Sequence, residues 1–138
     1  MGTLNLTQRI IRVFPRRTAL TPTDDMAFVG DPPLMRPDAA EVHVSVTFTW
    51  DRVAGERLAR AWSQYYPVVK IGGPAYASPN NDFIPGQYVK QGVVFTSRGC
   101  NRRCPWCLVP PREGRLQLLP IQEGHILNDN NLLQCPPE

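Results

Sequence analysis

The sequence predicts an α/β fold, and two stretches carry that prediction. Between Val42 and Ile71 an alternating apolar run, a run of helical period and a second short apolar run follow one another, the order of a strand, a helix and a strand. Further on, Gly92-Val-Val-Phe-Thr-Ser97 reads as a strand that delivers the chain into a loop carrying three closely spaced cysteines. The 138 residues are enough for a compact fold, and a composition of 42% hydrophobic and 20% charged residues is that of a globular rather than a disordered chain.

The elements follow in order. Ile10-Ile-Arg-Val-Phe14 is short, apolar and β-branched, and reads as the first strand. From Arg16 to about Ala40 the chain is rich in Thr, Asp and Pro. This is a long loop for a compact fold, with room for a turn of helix or a functional excursion. In the next strand Val42, Val44, Val46 and Phe48 share one face while His43, Ser45, Thr47 and Thr49 share the other. His43 therefore sits on a polar face, the setting of a hydrogen-bonded structural histidine. From Asp51 to Tyr66 the period changes: Ala54, Leu58, Ala61, Trp62 and Tyr65 fall on one stripe. Asp51 is placed to cap that helix and Pro67 to end it. Trp62, Tyr65 and Tyr66 are read as core. Val68-Val-Lys-Ile71 is the following strand, closed by a tight turn at Gly72-Gly73-Pro74. The strand–helix–strand run is a Rossmann-like βαβ unit, which builds parallel sheet. After the cysteine loop, Arg112-Glu-Gly114 turns the chain, Leu116 to Pro120 is a short apolar piece, and His125-Ile-Leu127 is one more strand, running into Asn128-Asp-Asn-Asn131.

Charge and motifs exclude several classes. A net charge of +3 is too small to indicate a nucleic-acid partner, and most of the 15 basic residues are arginines read as solvated surface charge. No secretory signal is visible, because polar residues interrupt the apolar ones in residues 1–20. No run approaches the roughly 20 apolar residues of a membrane span. A cytoplasmic setting without membrane contact is the expectation. There, clustered thiols are metal ligands or redox groups more often than disulfides. Neither a GxxxxGK[ST] nor a GxGxxG phosphate motif occurs, and two histidines support no Ser-His-Asp arrangement.

Chemistry concentrates in Cys100-Asn-Arg-Arg-Cys104-Pro-Trp-Cys107. Three thiolates at CxxxCxxC spacing are soft, strong donors for zinc or an iron–sulfur cluster. Three ligands rather than four suit a cubane that keeps one iron open to a substrate. Gly99 permits a tight backbone before Cys100, and Pro105 stiffens the path between Cys104 and Cys107. Arg98, Arg102 and Arg103 place positive charge near an anionic cluster, which favours its reduction.

The stretch GVVFTSRGCNRRCPWCLVPPREGR, residues 92–115, resembles the cluster loop of the radical SAM superfamily. The resemblance implies that Cys100, Cys104 and Cys107 ligate a [4Fe–4S] cluster and that Trp106 lies beside the adenine of S-adenosylmethionine. It implies reductive cleavage of that cofactor to methionine and a 5′-deoxyadenosyl radical. A strand feeding the loop matches the first strand of the family's barrel. Asn128, Asp129 and Asn130 resemble the polar turn at the tip of the second barrel strand, where they would face the cofactor. Upstream, Ile71-Gly-Gly-Pro-Ala-Tyr-Ala-Ser-Pro79 is similar to the glycine–glycine–proline turn of cobalamin-binding domains that precede many such barrels. Ala75 stands where those domains often carry His, and no DxHxxG occurs, so cobalamin is not expected. The resulting division is a degenerate cobalamin-binding-like α/β region over 1–91 and the start of a radical SAM barrel over 92–138. A full barrel takes about 250 residues, so an incomplete barrel is expected, complemented by a second polypeptide if active. An electron donor protein is the other expected partner.

The alternative is a non-catalytic zinc or interaction module, in which Cys100, Cys104 and Cys107 are joined by Cys135 or His125. Paired CxxC spacings typical of zinc modules are absent.

Overall fold

The computed structural model describes residues 9–76 and 84–134. The chain divides into two compact units, Met1–Tyr76 and Ala77–Glu138.

The first unit is a four-stranded parallel sheet with one long helix. Strand β1 (Ile10–Phe14) pairs on one side with β2 (Ala27–Val29) and on the other with β3 (Glu41–Ser45), which pairs in turn with β4 (Val69–Gly72). Helix α1 (Arg52–Ser63) links β3 to β4, as the predicted βαβ unit requires. The α/β expectation and the parallel, Rossmann-like sheet are what the structure shows.

Alternation explains how the sheet buries one face. Ile11, Val13, Val42 and Val44 are fully buried with Val46, and the helix covers them with Leu58 and Trp62. Trp62 closes the core. Its ring meets Phe28 at 5.4 Å and Tyr66 at 5.9 Å between centroids, and its indole N–H donates to the Gly30 carbonyl at 3.1 Å. The polar sheet positions pair among themselves: Glu41 accepts from Lys70 at 2.8 Å and meets His43 Nε2 at 2.8 Å. His43 is thus a hydrogen-bonded strand residue, as its place in the alternation indicated.

Several expectations are corrected. The loop read over Arg16 to Ala40 contains β2, whose strand character comes from backbone pairing with β1 rather than from any period of its own. Asp51 stands at the N-cap of α1 without capping it through its side chain. Its buried carboxylate instead takes two hydrogen bonds from the Arg16 guanidinium, both at 2.7 Å. Tyr65 is exposed and carries Arg36 over its ring at 3.7 Å, while Tyr66 takes the core position and donates its hydroxyl to the Pro37 carbonyl. The strand read over 92–97 is broken into β5 (Val93–Val94) and β6 (Ser97–Arg98).

The Gly72-Gly73 turn is the tight one expected. Gly73 has φ 103°, and a side chain there would strike the backbone of Val46 at 2.7 Å. The close approach lets the Ala75 N–H reach the Val46 carbonyl at 2.9 Å.

In the second unit β5 pairs in parallel with β8 (Ile126–Leu127), and β6 pairs antiparallel with β7 (Gln117–Leu118). Helix α2 (Val109–Glu113) stands where only a turn was expected. Its prolines lie in the first turn, where no intrahelical N–H is lost. Among the described residues no helix is long and apolar enough to cross a membrane.

Candidate metal centre

The cysteine loop runs between β6 and α2 and begins at a sharp bend. Gly99 is buried with φ 79°, and a Cβ there would run into the carbonyl oxygens of Arg115 and Gly114. Only glycine accepts both conditions. The bend brings the Cys100 N–H toward the Gly114 carbonyl, at 3.5 Å.

Cys100 and Cys107 are half-buried and Cys104 is exposed; all three are free thiols. The Cys107 N–H donates to the Cys104 carbonyl at 3.1 Å, closing a turn with Pro105 at its second position. Cys104 and Cys107 therefore sit at the two ends of one turn. The Arg102 N–H points at Cys100 Sγ, 3.4 Å away, a contact that stabilises negative charge on sulfur. Among the described residues no three Cys, His, Asp or Glu side chains converge as a metal site. The fold thus places three thiols on one short, accessible loop and does not itself gather their sulfurs.

Trp106 is 86% exposed, so its ring face is open beside Cys107. Arg102 and Arg103 are exposed on the same loop. His125, the alternative fourth zinc ligand, lies with its ring against Gly92 and is not gathered with the cysteines. Cys135, the other alternative, lies outside the described residues.

The polar turn after β8 reaches the loop entrance, but through internal hydrogen bonds. Asp129 accepts from the Thr96 N–H at 2.8 Å, from the Thr96 hydroxyl, and from the Ser97 hydroxyl at 2.9 Å. Burial alone would push the Asp129 carboxyl up; the hydrogen bonds from Thr96 and Ser97 outweigh it and hold the carboxyl below its ordinary value. Asn130 donates through Nδ2 to Glu113 Oε2 at 2.6 Å, and the same oxygen accepts from the Gly99 N–H at 3.0 Å. The Asn128 side chain is exposed, while its backbone N–H donates to the Val94 carbonyl at 3.0 Å.

Two residues at the loop entrance escaped sequence reasoning. Glu113 looked like part of a turn, and Gln134 carried no signal at all. Yet Gln134 accepts from the Asn101 N–H at 2.9 Å and donates to the Gly99 carbonyl at 3.1 Å. The glycine after Glu113 was the available hint that a helix ends there.

The donor set fits a thiolate-held metal group: three cysteines within eight residues, one N–H already aimed at sulfur, and an arginine-rich surround. Comparison with known proteins finds a partial likeness to methylthiotransferases. Over 102 residues the chain is 30% identical to the ribosomal protein uS12 methylthiotransferase RimO of Acidovorax sp. (strain JS42), covering 67% of this chain and 20% of that protein. The RimO of Legionella pneumophila (strain Lens) is 30% identical over 70 residues, 47% of this chain and 16% of that protein. The chain spans about a fifth of the length of these relatives. No protein-family model and no solved structure matches it.

Proposed function

We propose that the chain is a radical SAM-type protein. Cys100, Cys104 and Cys107 would hold a [4Fe–4S] cluster, which would bind S-adenosylmethionine. The observation that carries this reading is the single accessible loop with three thiols, set at the end of the β5–β6 segment. The partial likeness to the methylthiotransferases supports the same class. When bound, the cluster would supply the electron that splits the sulfonium and leaves a 5′-deoxyadenosyl radical.

The chain's own residues have separate tasks in this reading. The Cys104–Cys107 turn carries two of the cysteines at the ends of one hydrogen-bonded turn. The Arg102 N–H and the positive charge of Arg98, Arg102 and Arg103 favour the reduced cluster. Trp106 gives adenine a face to stack on, and the exposed Asn128 side chain gives the cofactor a polar contact. A cytoplasmic setting and an electron donor protein complete the reading.

Anaerobic reconstitution with iron and sulfide tests it. A brown chromophore is expected with the wild-type chain and its loss with Cys104→Ala. One tightly held zinc per chain without sulfide would overturn the cluster assignment in favour of a zinc module.

A further inference from the structure

The backbone that enters the cysteine loop is fastened at almost every residue from Thr96 to Arg102. Asp129 takes the Thr96 N–H and the Thr96 and Ser97 hydroxyls. Glu113 takes the Gly99 N–H, and Asn130 holds Glu113 in place. Gln134 grips both the Gly99 carbonyl and the Asn101 N–H. The Cys100 N–H, between them, faces the Gly114 carbonyl. Beyond Arg102 the pattern changes: from Arg103 to Trp106 every residue is exposed, and the one backbone hydrogen bond there among the described residues is the local turn from Cys107 to Cys104.

This asymmetry has a physical consequence. A thiol on a fixed backbone loses little conformational entropy when it takes a metal, whereas a thiol on a free backbone loses more. Groups that orient a ligand without touching the metal commonly contribute 10- to 100-fold to metal affinity.

We propose that Asp129, Glu113, Asn130 and Gln134 form a positioning brace that presets Cys100 as the fixed ligand, onto which the Cys104–Cys107 turn closes when metal binds. Asp129 and Asn130 thereby serve the metal centre through the backbone rather than by contact with the cofactor. The brace rests on the thiolate-centre reading above. Its carboxylates act on N–H groups of the loop, so they shape the site without adding a ligand to it.

Cobalt(II), added anaerobically to the metal-free chain, is the probe, because thiolate coordination produces sulfur-to-cobalt charge-transfer absorption. Cobalt affinity is measured together with amide hydrogen exchange at Gly99 and Asn101. Gln134→Ala is expected to speed exchange at Asn101 and to weaken cobalt binding by about 10- to 100-fold, with an unchanged thermal midpoint. Glu113→Ala is expected to do the same through Gly99, and Glu113→Gln, which keeps the accepting oxygen, is expected to restore both readouts. Cobalt binding by Gln134→Ala and Glu113→Ala as tight as wild type would overturn the brace while leaving the metal centre standing. A wild-type chain that gives no charge-transfer band, matching Cys104→Ser, would overturn the metal centre and the brace with it.

Discussion

The Asp129 carboxylate accepts the backbone N–H of Thr96 at 2.8 Å across 33 residues of sequence. That bond ties the end of β8 to the point where β5 gives way to β6, just ahead of the cysteine loop. The hydroxyls of Thr96 and Ser97 close on the same carboxylate, an arrangement that favours its ionised form.

A pH dependence follows. Burial opposes ionisation of Asp129, but the Thr96 and Ser97 hydrogen bonds prevail and depress its folded-state pKa. An unfolded aspartate titrates near about 3.9. A depressed folded value means that Asp129 contributes stability above that pH, and the contribution is lost as pH falls through the lower folded value. A carboxyl carbon titration of Asp129 by NMR should show a midpoint below the unfolded one. Asp129→Asn should flatten the acid limb of the stability curve of the second unit, and an unchanged limb would count against this role.

The first unit depends on Trp62. The side chain is fully buried against Phe28 and Tyr66 and its indole N–H is satisfied. Trp62→Ala should cost about 3–5 kcal/mol, the range for large aromatic truncations in a core. Urea unfolding followed by far-UV circular dichroism measures it. Trp50, which is 69% exposed, is the control: Trp50→Ala should leave the urea midpoint nearly unchanged.

Gly99→Ala should disturb the cysteine loop while leaving the first unit's core alone. Its positive φ alone costs a non-glycine residue about 1–2 kcal/mol, and the new methyl group would meet the Arg115 carbonyl. The readout is iron and sulfide bound per chain after reconstitution, expected to fall well below wild type, with unfolding of the first unit unaltered.

On the proposed function, a Trp106 variant distinguishes cluster binding from cofactor binding. Its ring is solvent-exposed and makes no contribution to a core. Trp106→Ala should retain the brown chromophore and weaken S-adenosylmethionine binding, by about 1–3 kcal/mol if adenine stacks as bases do on aromatic side chains. Equilibrium binding to the reconstituted chain measures it. Unchanged affinity would remove Trp106 from the cofactor site.

Some of this architecture was legible before folding and some was not. The alternation of Val42, Val44 and Val46 and the change of period at Asp51 located β3 and α1, because those patterns are local and the core reads them directly. Strand β2 escaped because Ala27–Val29 is too short to show a period; only pairing with β1 makes it a strand. Asp51 looked like a cap because it precedes a helix, but Arg16, distant in sequence, claims its carboxylate. Adjacent Tyr65 and Tyr66 were both read as core; α1 ends at Ser63, just before them, and only Tyr66 turns inward.

By itself the sequence determined the placing of three cysteines on one loop and the order of strand and helix around the βαβ unit. Both are properties of neighbouring residues, set by spacing and period. The tertiary structure alone decided which carboxylates and amides hold that loop. Asp129, Glu113, Asn130 and Gln134 reach it from later positions in the chain, and a hydrogen bond depends on distance through space, which spacing along the chain does not specify.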